Sequence, residues 1–135
     1  MRWGKGDNRG GIGGMAMIMG VIVVFGEGLF YGAAANAAAI AGGAGMGTAA
    51  SMWAGGQAFG AGGSILLFLG MALVSISAYV TNTFNKIIAI LLTVVTIVGV
   101  ILCLIGEYTN DLMIIPYLGT TIGIVALGIL TIRSK

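Results

Sequence analysis

The chain has 135 residues, of which 59% are hydrophobic and 7% are charged, six basic against four acidic, with no histidine. A soluble domain carries about a quarter of its residues as charges, so this chain cannot clothe a water-exposed surface and would show apolar patches beyond what soluble monomers tolerate. With no histidine and a single cysteine, Cys103, it can build neither a His/Cys metal centre nor a disulfide framework within one chain. Its hydroxyls have no nearby base and it has no histidine to serve as one, so the sequence predicts no enzyme.

The fold class that remains is all-α: a hydrophobic multi-helix membrane or lipid-embedded protein with about four spans, an additional Gly/Ala-rich helix and a C-terminal helical hairpin. Glycine reaches 25 residues without the every-third-residue period of collagen, which reads as close helix contacts.

Residues 1–11 form a basic, glycine-rich tail carrying Arg2, Lys5 and Arg9 beside Trp3. Its simplest role is topogenic, and its charges suit contact with anionic headgroups, at about 1 kcal/mol per basic residue, or with nucleic-acid phosphates. Gly11, Gly13 and Gly14 lack the strand, helix and acid that a dinucleotide fingerprint requires.

A first hydrophobic helix is predicted over 12–33, interrupted by Glu27. At about 1.5 Å per residue, Glu27 lies roughly 22 Å from residue 12, near the far edge of a bilayer core. One reading makes it an interface marker that snorkels beside Phe30 and Tyr31, with Gly26 and Gly28 letting the backbone bend. The other makes it an intramembrane ionisable site that carries a proton or pairs with a basic group of a neighbouring subunit. Three basic residues, an apolar run and Ala35-Asn36-Ala37 have the outline of a signal peptide, but a glutamate within the apolar region argues against cleavage.

Residues 34–63 are a distinct alanine- and glycine-rich block punctuated by Met46, Met52, Trp53 and Phe59. It is expected as a separate interfacial, re-entrant or packing helix. Gly43, Gly47, Ala50, Ala54, Gln57 and Ala61 repeat at spacings of four and three, which would put one small-residue seam along a helix face. If the block does not cross, every basic residue falls on one side of the membrane and the acids at 107 and 111 on the other, as the positive-inside tendency prefers.

Residues 64–135 hold three long apolar runs, 64–81, 87–106 and 112–132, each long enough to span. The last two form a hairpin over 87–132 joined by Glu-Tyr-Thr-Asn-Asp. Asp111 is the expected N-cap of the final helix, Pro116 is expected to bend it one turn in, and Gly119 with Gly123 form a GxxxG packing patch. Cys103 reads as a small buried hydrophobe.

From Lys86 to Lys135 the order of basic residue, apolar helix, short polar turn, glycine-bearing helix and basic tail resembles the hairpin of conjugative, type IV secretion pilins. That resemblance implies a subunit inserted in a membrane and then assembled into a helical filament, often with lipid; residues 1–80 depart from the pattern. The short, glycine-rich, very hydrophobic composition is also similar to coat proteins of lipid-containing, spindle-shaped archaeal viruses, and the Gly/Ala block is similar in composition to viral fusion peptides. The expected function is therefore a self-assembling structural subunit, pilin-like or virion-forming, in a membrane or in a filament or virion assembled from one. Its expected partners are copies of itself and lipid, with anionic headgroups or nucleic acid at the tail. No small-molecule substrate is expected, nor any cofactor other than bound lipid. A small oligomeric channel or holin, and an accessory subunit of a larger membrane complex, are the alternatives.

Overall fold

A computed structural model of the chain describes residues 8–40, 43–83 and 85–133, the last four of these by their backbone only. Four long helices follow one another: α1 (Arg9–Ala38), α2 (Met46–Val80), α3 (Lys86–Leu104) and α4 (Ile114–Arg133), with one turn of 3₁₀ helix, Asp111–Met113, leading into α4. No strand occurs among the described residues, so nearly every backbone polar group is satisfied within its own helix, as an apolar solvent demands. All four helices are long and apolar enough to cross a membrane. The architecture is thus an all-α, four-helix membrane protein.

The four form two antiparallel hairpins. α1 packs along α2, α3 returns against α2, and α4 packs chiefly on α3. The Gly/Ala-rich stretch 34–63 is not a separate element. Residues 34–38 end α1, a turn follows, and 46–63 are the first half of α2, continuous with the expected span 64–81. Alanine keeps both arms helical at low cost, and Gly43, at φ +74°, supplies the left-handed residue that the reversal uses.

The other two turns end helices by one device. After α2, Asn82 at φ 53° lets Thr83 N–H reach the Ala78 carbonyl; after α3, Gly106 at φ +83° lets Glu107 N–H reach the Leu102 carbonyl. Asparagines then start the next helices. Asn85 Oδ1 accepts from Ile87 N–H, and Asn110 Oδ1 accepts from Leu112 N–H, each at 2.9 Å. The cap expected at Asp111 is therefore Asn110, one residue earlier, and Asp111 opens the 3₁₀ turn. Pro116 falls in the first turn of α4, where its missing N–H costs nothing, so the bend expected there has no physical cause.

The core lies where α2 meets α3 and α4. Leu67, Phe68, Val100, Cys103 and Met113 are buried together, and Phe68 meets Tyr117 edge-on at 5.1 Å. Gly119 sits where a Cβ would come 2.7 Å from Val95 Cγ1. Gly123 faces Met71 and Leu92, and a Cβ on Gly99 would stand 2.7 Å from Pro116.

Because α1 and α4 both run antiparallel to their neighbours, Arg9, Lys86 and Arg133 come to one end of the bundle, while Glu107 and Asp111 lie at the α3–α4 turn at the other. Arg2 and Lys5 fall outside the described residues. At about 1.5 Å per residue, α1 is about 45 Å long and α3 about 28 Å, so the first hairpin reaches past the α3–α4 turn.

Candidate functional site

Along α1, Gly13, Gly20, Glu27 and Ala34 recur every seventh residue and are among its most enclosed positions; along α2, Ala49, Gly56, Gly63 and Gly70 do the same. A seven-residue repeat keeps one seam facing a partner helix. A Cβ on Gly13 would lie 2.5 Å from the Gly70 carbonyl, and one on Gly20 would lie 2.6 Å from the Gly63 carbonyl, so the two backbones touch. Glu27 occupies the third step of this glycine and alanine series, and is thereby turned inward.

Room for it comes from Gly60 of α2, where any Cβ would overlap the Glu27 carboxyl group and the Tyr108 hydroxyl. Glu27 is 9% exposed, and both of its oxygens are occupied. Tyr31, one turn along α1, donates to Oε1; Tyr108, from the α3–α4 turn, donates to Oε2 at 2.8 Å. Gln57 Nε2 on α2 donates in turn to the Tyr31 hydroxyl at 2.7 Å, and the Tyr31 ring stacks on Trp53 at 4.3 Å between centroids. Burial, reinforced by the bond to Glu27, pushes the Tyr108 phenol far above its ordinary value, so it remains a donor.

A second pair of hydroxyls adjoins the first. Ser64 Oγ gives its hydrogen to the Gly60 carbonyl at 2.7 Å, so in its contact with Tyr117 the phenol is the donor. Every one of the four helices or their connecting turns therefore contributes to one polar cluster: Glu27 and Tyr31 from α1, Gln57 and Ser64 from α2, Tyr108 from the turn after α3, and Tyr117 from α4.

Such an arrangement can hold a carboxylate by hydroxyl donors, or take up a proton on it. Among the described residues, no three His, Cys, Asp or Glu side chains converge as a metal site would need. Cys103 is buried in the core among Leu67, Phe68, Val100 and Met113.

The other sequence-predicted positions are distributed differently from expectation. Gly43 lies in the reversal before α2, at φ +74°, Gln57 turns inward to Tyr31, and Gly47, Ala50 and Ala54 face outward on α2. The single seam drawn through all of them does not exist as one helix face. Two small-residue faces coexist on α2, and spacings of three and four cannot tell the inner from the outer one. Gly119 and Gly123 both lie against neighbouring helices within the chain, and Arg9 opens α1. Tyr108, Ser64 and Tyr117 were not anticipated, nor was the bond of Gln57 to Tyr31, although strong hydrogen-bonding side chains in so apolar a chain must find partners once buried.

No protein-family model matches the sequence, and neither a curated protein nor a solved structure matches it.

Proposed function

We propose that the chain is a non-enzymatic structural subunit that assembles with copies of itself in a lipid environment, as a pilin-like filament or a virion membrane shell. The observation that carries this reading is a set of helical glycines on outer faces, Gly28, Gly32, Gly47 and Gly62, at which an added Cβ would meet nothing within 4 Å. A glycine inside a helix costs about 0.5–1 kcal/mol relative to alanine. The inner glycines offset that by letting α1 and α2 touch; the outer ones have no such return within the chain. Close approach of a neighbouring subunit supplies one.

The rest of the surface agrees with an assembly bathed in lipid. Phe25 and Leu29 on α1 are 75% and 77% exposed, and Ile12, Met15, Ile18, Met19 and Ile22 continue that apolar face. No charged residue occurs between Glu27 and Lys86. The cationic end, with Arg9, Lys86 and Arg133, suits anionic headgroups or a packaged nucleic acid.

The channel reading draws on the buried carboxylate of Glu27 and on the threonines of the spans, but the Glu27 oxygens accept from tyrosines of the same chain, and Thr93, Thr96 and Thr121 donate to carbonyls of their own helices. The discriminating experiment is electron microscopy of the purified chain in mild detergent and after its removal, with Gly47→Leu and Ala54→Leu alongside. Both positions face outward, so each variant should keep the monomer's helical fold while filaments or particles are lost. Discrete micelle-bound oligomers from the unmodified chain, together with ion flux in liposomes, would replace this reading with the channel.

A further inference from the structure

We infer that Glu27 is a proton-controlled tie between the two hairpins: as a carboxylate it holds the α3–α4 turn against α1 and α2, and on protonation it lets that turn go. The geometry behind this is the division of its two oxygens. Oε1 serves Tyr31 of its own helix, whereas Oε2 serves Tyr108, 81 residues away on the connection between α3 and α4.

Two hydroxyl donors directed at one carboxyl group match its ionised form, because a carboxylate only accepts and charge-assisted bonds are roughly twice as strong as neutral ones. Protonation places a hydrogen on one oxygen and turns it into a donor. Both contacts then become neutral bonds, one accepted by the carbonyl oxygen that remains and the other made by the acid hydrogen to a phenol oxygen, and each is weaker than its charge-assisted counterpart. Tyr31 is the phenol that stays, since it is fixed one turn away on the same helix, receives Gln57 and stacks on Trp53. Tyr108 belongs to a short turn; its ring rests on the core around Phe68 and Met113, and the backbone of the turn is held by Glu107 N–H on the Leu102 carbonyl and Asn110 N–H on the Glu107 carbonyl, so its hydroxyl is what ties that turn to Glu27 on α1. Tyr108 is the phenol that leaves.

The groups facing Glu27 are few. Tyr31 faces it from α1, Gln57 and Gly60 from α2 and Tyr108 from the turn, with Tyr117 of α4 adjoining Tyr108. Among the described residues, Tyr31 and Tyr108 donate their hydroxyls to its carboxyl group, and these support its charge. Glu107 and Asp111 are the other acids at this end, exposed on the same turn, and are the groups from which Glu27 must be separated experimentally. The sign is fixed by the chemistry: the tie is strong where the carboxylate is ionised and weakens as acidification protonates it.

The test is amide hydrogen exchange of residues 105–110 in the full chain reconstituted in lipid nanodiscs, expressed as protection factors so that the intrinsic pH dependence cancels. Between about pH 8 and about pH 3, which lie on either side of the ordinary carboxylate range, protection of this turn should fall roughly five- to tenfold, the difference between a charge-assisted bond and a neutral one. In Glu27→Gln it should be low at both values. Tyr108→Phe, which leaves the carboxylate its Tyr31 partner and so tolerates folding better, should behave likewise. The double variant Glu107→Gln/Asp111→Asn should keep the full response. Unchanged protection of the native turn across this range, a pH response that survives in Tyr108→Phe, or one abolished by the Glu107/Asp111 pair would each overturn the inference.

Discussion

The first hairpin, α1 with α2, is held by backbone against backbone, and the second, α3 with α4, by side chain against side chain. At Gly20 the nearest atoms to an added Cβ are the Leu67 nitrogen and the Gly63 carbonyl, 2.5 and 2.6 Å away, and at Gly63 they are the Val24 nitrogen and the Gly20 carbonyl, 2.8 and 2.9 Å away. At Gly119 the nearest atom is the Cγ1 of Val95, at 2.7 Å. A side chain can change rotamer; a helix backbone can yield only by moving the whole helix. The first hairpin gains a long, close van der Waals seam and loses tolerance to any added volume, while the second keeps the ordinary plasticity of an apolar core.

The largest effect expected from this difference is at Gly20. Gly20→Leu inserts a branched side chain between two touching backbones, so it should exceed the about 1–3 kcal/mol of ordinary overpacking and prevent the first hairpin from closing. Circular dichroism during denaturation in detergent would show a large fall in stability or loss of the cooperative transition. A variant as stable as the parent would mean that α1 does not lie on the glycine seam at all.

Gly119→Ala sharpens the comparison from the other side. One methyl group meets the tip of a single valine side chain, and the about 0.5–1 kcal/mol that alanine gains over glycine in a helix offsets part of the about 1–3 kcal/mol of overpacking, so the net cost should be about 1 kcal/mol, with the transition still cooperative. A loss as large as that of Gly20→Leu would show the second hairpin to be as rigid as the first.

These contrasts bear on what could be read from the residues. The runs 87–106 and 112–132 are apolar throughout and bounded by polar turns, so the second hairpin was legible with only its ends adjusted: α3 stops at Leu104, and the 3₁₀ turn precedes α4. The first hairpin was harder because hydrophobicity does not distinguish faces on helices made of alanine and glycine. The seven-residue recurrence of Gly13, Gly20, Glu27 and Ala34 was present in the sequence, as was that of Ala49, Gly56, Gly63 and Gly70. It was masked by further glycines at outer positions. Glu27 stood out as an embedded acid, but its bond to Tyr108 joins residues 81 apart and depends on where α3 ends beside α2, which no local spacing encodes.

The smallest expected effect tests whether outer glycines serve the fold at all. At Gly28 an added Cβ would meet nothing within 4 Å, and the residue sits in the middle of α1, where alanine is favoured by about 0.5–1 kcal/mol. Gly28→Ala should therefore leave the isolated chain unchanged or stabilise it by that amount in the same denaturation assay. Its neighbour Glu27 is turned inward, so the methyl group does not enter the polar cluster. A measurable destabilisation of the monomer would mean that this face of α1 is already occupied by another part of the chain. A neutral or stabilised monomer assigns the cost of keeping glycine at this position to contacts made outside it.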